Sequence, residues 1–208
     1  MDMDWTKLGF AYMPTHSFLR YTWRDGAWDE GHSQTDPHIN IHIAATALHY
    51  GQSVFEGLKA FACKDGQVRI FRPQENAARL EQSARRFMMP SVPDDMFISA
   101  VIRAVQENID YVPPYGTGGA MYIRPLLFGT GPQIGVRPAD EYELIVLVVP
   151  VGDYYKGGLN PVSAIVLDEY DRAAPRGVGH VKAAGNYAAD LLPNRRSRDM
   201  GFPITLYL

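Results

Sequence analysis

The longest apolar run in the sequence, "LIVLVVPV" from Leu144, is the feature that most limits the fold. It is far short of the ~20 residues a membrane-spanning helix needs. With the preceding Tyr142-Glu143 it reads as one strand, and "AMYIRPLLF" upstream reads as another, joined to it by the Gly-rich loop "GTGPQIGVRPAD". Further upstream, "FLRYTWRDGAWDEG" turns at Arg24-Asp25-Gly26 and reads as a hairpin. Ile39, Ile41 and Ile43 alternate as one buried face of a strand would, ahead of His49-Tyr50-Gly51. "VFEGLKAFACKDGQVRIFR" predicts strand, Lys64-Asp65-Gly66 turn, strand.

Two helices are predicted between these strands. Pro73 suits a first helical position, and Ala77, Leu80, Ala84, Phe87 and Met88 follow at helical intervals. A second helix covers "PDDMFISAVIRAVQENID", with Asp94 and Asp95 near its N-terminus, where the macrodipole favours negative charge. After Val151 the composition turns Gly-rich and polar, which predicts a domain at 1–151, a connector at 152–162 and the start of a second domain at 163–208. In that second part "SAIVLDEY" reads as a strand, Ala188 to Leu192 as part of a helix, and "PITLYL" as a closing strand. An apolar strand at the chain end is an uncovered edge, so a truncated chain is expected. The fold class is mixed α/β.

With 208 residues, 46% hydrophobic and 21% charged, the chain suits one large domain or one and a half. A net charge of -3 and a pI near 6.1 give no electrostatic reason to expect nucleic acid or an anionic membrane as partner. Cys63 is the single cysteine, which excludes an intrachain disulfide and fits a reducing compartment. The acidic opening "MDMDWTKLGF" does not read as a secretory signal, so a cytoplasmic location is expected. His38, His42 and His49 form no metal-ligand pattern with carboxylates, and no metal is expected. "GTGPQIG" misses the dinucleotide-binding spacing and precedes a strand. Ser53 near His49 lacks the nucleophile-elbow turn of a hydrolase.

Lys182, in "RGVGHVKAAGNYAADLL", is the candidate reactive amine. A lysine condenses with an aldehyde only when neutral, which requires desolvation or a cationic neighbour to lower a pKa ordinarily near ~10.4. Val178, Val181, Ala183 and Ala184 are small and apolar, and Gly177, Gly179 and Gly185 allow a planar group to approach the backbone. Tyr187 is placed to offer a phenolic hydrogen bond to the same group. Most lysines are nonetheless solvated and most Gly-rich bends are only turns, so residue types alone leave both readings open.

"HVKAAGNYAADLL", together with "LHYGQSVFEGLKAF" and "MYIRPLLFGTGPQIGV", resembles the branched-chain amino acid aminotransferases of the class-IV, pyridoxal-phosphate-dependent group. The resemblance implies a fold-type IV enzyme with a small N-terminal α/β domain and the beginning of a larger, incomplete C-terminal domain. It implies pyridoxal 5'-phosphate as cofactor, bonded to Lys182, with Tyr187 on the ring oxygen and Arg79 on the phosphate. Arg79 stands seven residues after the arginine of "FRP". By itself it reads as a solvated helix arginine.

The same resemblance makes Tyr50 and Phe55 walls of the side-chain pocket, where default readings are core aromatics. It gives Tyr122 and Arg124, which alternate on one strand, contact with the substrate. Ile134, Val136 and Tyr50 are implied to reach the partner subunit's pocket, hence a homodimer. The implied reaction moves an amino group from L-leucine, L-isoleucine or L-valine to 2-oxoglutarate, giving a branched 2-oxo acid and L-glutamate. The glutamate that partners the pyridinium nitrogen is expected beyond Leu208, since Glu141, Glu143 and Glu169 do not match its motif. A D-amino acid aminotransferase, an aminodeoxychorismate lyase and a non-catalytic fragment stay open as alternatives.

Overall fold

The computed structural model describes residues 3–152 and 160–207. Strands β1 (Phe18–Arg24) and β2 (Ala27–Trp28) form the expected hairpin, pairing Trp23 with Trp28 and Arg24 with Ala27. Asp25 and Gly26 both have positive φ, 53° and 83°, the geometry whose twist matches a two-residue hairpin. Strand β3 (His32–Gln34) returns along the other half of β1.

The isoleucine segment differs from expectation. Residues 38–44 form no strand; Ile39 and Ile41 are half-buried and Ile43 is exposed. Local bonds satisfy this backbone instead: the Ala44 N–H donates to His42 Nδ1 at 3.0 Å, the Ala45 N–H to His42 O at 2.9 Å, and His49 Nε2 lies 2.8 Å from Ile43 O. Such side-chain and turn bonds compete with a ladder, and alternation alone does not reveal them. Helix α1 (Thr46–Tyr50) follows and stops at Gly51, whose φ of 62° is left-handed.

Strands β4 (Ser53–Phe55), β5 (Leu58–Ala62) and β6 (Val68–Ile70) lead to helices α2 (Pro73–Arg86) and α3 (Asp94–Glu107). Pro73 occupies the first turn of α2 as its missing N–H permits. Helical periodicity overshoots at the other end: α2 stops at Arg86, and Met88 turns outward with φ 54°. Strands β7 (Ala120–Gly129) and β8 (Tyr142–Val151) pair along their whole length.

The antiparallel sheet runs β2-β1-β8-β7-β5-β6, with β3 on β1 and β4 on β7. One face buries Leu19, Met121, Ile123, Leu144, Val146 and Val148 against Leu80, Phe97, Ala100, Val101 and Ala104 of the two helices. Each large side chain buried this way contributes about 1.5–3 kcal/mol. Alternation along β7 then sends Tyr122 and Arg124 to the opposite face.

The greater part of the expected connector, residues 153–159, lies outside the described residues. Beyond it, β9 (Ala164–Leu167) and β10 (Ile204–Tyr207) pair in parallel, separated in the chain by α4 (Ala184–Ala189) and α5 (Leu191–Asp199). The helix expected over Ala188 to Leu192 is thus two helices meeting at Asp190. Among the described residues no helix is long and apolar enough to cross a membrane, and no group of three or more His, Cys, Asp or Glu is placed to hold a metal.

Candidate active site

Strand β4 is where the sheet meets the lysine segment. Val54 and Ala183 form an isolated antiparallel bridge, and the Phe55 N–H donates to Lys182 O at 3.1 Å. The Lys182 N–H donates to the buried Ser83 Oγ of α2 at 3.1 Å. Both backbone groups of Lys182 are therefore fixed. Val181 and Ala183, its neighbours, are each 2% exposed, while Lys182 is half-buried. Alternation in an extended stretch turns the lysine away from the face that buries its neighbours.

Lys182 Nζ lies 2.7 Å from Tyr187 Oη, so the phenol expected to bond a group held by the lysine meets the amine itself. The amine also stands 4.5 Å over the Phe55 ring and 5.0 Å from the Tyr187 ring centroid. Phe55 and Tyr187 themselves pack at 4.8 Å. On Phe55 sits a second cation: the Arg124 guanidinium is 4.5 Å from that ring and donates from Nε and Nη2 to Tyr122 Oη at 3.1 and 2.8 Å. The structure thus brings Lys182, Tyr187, Phe55, Tyr122 and Arg124 into one constellation.

Arg79 belongs to the same neighbourhood through α2. Its guanidinium donates Nε and Nη2 to Glu56, at 2.6 and 2.7 Å, and these bonds hold its pKa above the ordinary arginine value. Arg172, which residue-type reasoning missed, lies 5.2 Å from the Tyr187 ring and 3.8 Å from Asp190. Arg172 and Arg124 therefore flank the two rings against which the amine rests, a setting suited to phosphate and carboxylate groups. The only sequence signal for Arg172 was its place in "DRAAPRG", ahead of the lysine.

Tyr50, Ile134 and Val136 form a different cluster. Tyr50 Oη donates to Ile134 O, and Tyr50 and Val136 line a separate cleft of about 330 Å³ with Phe87 and Pro138. Ile134 is 67% and Val136 89% exposed, so this chain leaves both side chains uncovered. The loop that carries them is anchored by the buried Gln52, which accepts from the Ala139 N–H and the Thr46 hydroxyl and donates to Phe87 O. The glutamates that do not match the pyridinium motif are engaged elsewhere: Glu141 with Arg24, Glu143 with Arg20 and Glu169 with Arg196.

Of the glycines before and after the lysine, Gly179 is explained by close packing on Ala173, and a Cβ on Gly177 would meet Ala174 O at 2.9 Å. Only Gly185 faces open space, where a methyl group in place of the glycine hydrogen would meet nothing within 4 Å. Gly177 and Gly179 thus pack on residues 173–174, and Gly185 is exposed on α4.

No protein-family model matches the sequence. A branched-chain-amino-acid aminotransferase of Haemophilus influenzae is 50% identical over 202 residues, 97% of this chain and 59% of that protein. The Escherichia coli branched-chain amino acid aminotransferase structure superposes with a TM-score of 0.71 at 28% identity, covering 90% of this chain and 59% of that one. The corresponding structure from Thermobaculum terrenum, in its PLP form, gives 0.67 at 21% identity over 94% of this chain and 59% of that one, a likeness of fold. The chain is similar over nearly its whole length to branched-chain aminotransferases and spans about three fifths of the length of these relatives.

Proposed function

We propose that the protein is a branched-chain amino acid aminotransferase, dependent on pyridoxal 5'-phosphate, that moves the amino group of L-leucine, L-isoleucine or L-valine to 2-oxoglutarate. The observation that carries this reading is the 2.7 Å approach of Lys182 Nζ to Tyr187 Oη, with both groups packed on Phe55 and cations on either flank. The donor set fits the cofactor: an amine for its aldehyde carbon, a phenol for its ring oxygen and the Arg79 guanidinium for its phosphate.

When bound, pyridoxal phosphate supplies an aldehyde carbon and a conjugated ring that accepts the electron pair released at the substrate's α-carbon. Lys182 would anchor the cofactor and serve as the general base at the substrate's α-carbon. Tyr187 orients the amine and the ring oxygen. Phe55 supplies an apolar wall for a branched side chain, and Arg124, held by the Tyr122 hydroxyl, receives a side-chain carboxylate when glutamate or 2-oxoglutarate is bound. Exposed Ile134, Val136 and Tyr50 support assembly as a homodimer in which these residues complete the neighbouring subunit's pocket. A cytoplasmic location and a domain division at 1–151, 152–162 and 163–208 complete the reading.

The test is 2-oxo acid formation from L-leucine, L-isoleucine, L-valine and D-alanine with 2-oxoglutarate, together with borohydride fixation of the cofactor. The expected result is turnover of the three L-amino acids and a label on Lys182. Turnover of D-alanine alone, or a label on another side chain, overturns the assignment.

A further inference from the structure

Glu56 is a carboxylate in the interior, 0% exposed, at the break between β4 and β5. A buried anion is costly unless its oxygens are occupied. Here Oε1 accepts from Arg79 Nε at 2.6 Å, and Oε2 accepts from Arg79 Nη2 at 2.7 Å, Asn76 Nδ2 at 2.7 Å and the Gly57 N–H at 3.2 Å. Asn76 also donates to Gly57 O at 3.3 Å, which ties α2 to the β4–β5 break a second time. The guanidinium meets Glu56 side-on, through its Nε and Nη2 edge. That leaves the end-on edge, with one N–H from each Nη, for a second two-pronged acceptor. The Arg79 side chain is 48% exposed, so its outer part faces away from the buried carboxylate.

We infer that Glu56, supported by Asn76, is the positioning residue that fixes Arg79 so that its free edge meets a phosphate monoester bound beside Lys182. This inference rests on the proposed cofactor reading and adds to it. An unanchored arginine would lose rotamer freedom on binding each ligand, whereas the fork removes that freedom beforehand. The charge of Glu56 works against an incoming anion. Its side-on geometry is what compensates, and the two contributions separate by experiment.

The protein and its Glu56→Gln, Glu56→Asp and Asn76→Ala variants are titrated with pyridoxal 5'-phosphate and, separately, with pyridoxal, which lacks the phosphate. Binding is read from visible absorbance and from borohydride fixation on Lys182. Gln turns an NH₂ group toward Arg79 and Asn76, and Asp falls one methylene short, so both break the fork while only one keeps the charge. The expected result is about a tenfold or larger loss of affinity for pyridoxal 5'-phosphate in both, with pyridoxal binding unchanged. Asn76→Ala, which leaves the Arg79 fork in place, shows a smaller loss of the same phosphate-selective kind and carries the test if the Glu56 variants do not fold. Equal losses for the two ligands, or none, overturn the positioning role while leaving the cofactor reading intact. Failure of the unsubstituted protein to bind either ligand overturns both.

Discussion

Val54 and Ala183 face each other in an isolated bridge, joining β4 to the lysine segment far along the chain. Ser83 completes the anchorage by accepting the Lys182 N–H at 3.1 Å from a position that is 0% exposed. Ser83→Ala leaves that N–H without its partner in a buried setting. The expected outcome is a loss of about 1–3 kcal/mol, read by denaturant unfolding, with faster amide exchange at Lys182. Unchanged exchange at Lys182 would show that the bridge alone holds the segment.

Tyr187 has two separable parts. Its ring packs on Phe55 at 4.8 Å, and its hydroxyl meets the lysine amine. Tyr187→Phe keeps the first and deletes the second, so the thermal midpoint should stay within a few degrees while kcat for L-leucine falls on the order of ten- to a hundredfold. A fall in stability equal to that in rate would make the hydroxyl structural.

Arg124 offers a flat guanidinium to the Phe55 face and two N–H groups to Tyr122. Lysine keeps the charge but neither the stacking plane nor the fork. Arg124→Lys should raise KM for 2-oxoglutarate about tenfold or more and leave KM for L-leucine nearly unchanged, because only the former carries a second carboxylate. Steady-state kinetics with each substrate varied in turn reads the difference.

The elements written into short stretches of sequence were legible. Asp25-Gly26 and Asp65-Gly66 mark turns because glycine adopts positive φ freely, and the α2 stripe of Ala77, Leu80 and Ala84 is a helical repeat. Lys182 and Tyr187 both stood out in one short stretch, but the contact between them, from an extended segment to the helix that follows it, did not. What stayed hidden needed the tertiary fold: Glu56 reads as one residue among small and apolar neighbours until α2 brings Asn76 and Arg79 over it. The Ile39, Ile41, Ile43 alternation misled for the converse reason, since His42 and His49 satisfy that backbone locally.

Tyr207 closes the β9–β10 pair against Asp190, to whose carboxylate its hydroxyl donates. Burial first, then that hydrogen bond and the charge of Asp190, push its phenol up to about 12. An unfolded tyrosine titrates near ~10. The folded state therefore binds this proton more tightly, so its stabilising contribution is complete below pH ~10 and is lost as the pH rises through about 12. Above that range a phenolate would stand against the Asp190 carboxylate. Tyr142 is also pushed up by burial, so tyrosinate absorbance should show the late-titrating phenols reduced by one in Tyr207→Phe, and thermal melts of that variant should lose less stability across the same alkaline window. Equal alkaline loss in both proteins would place the sensitive group elsewhere.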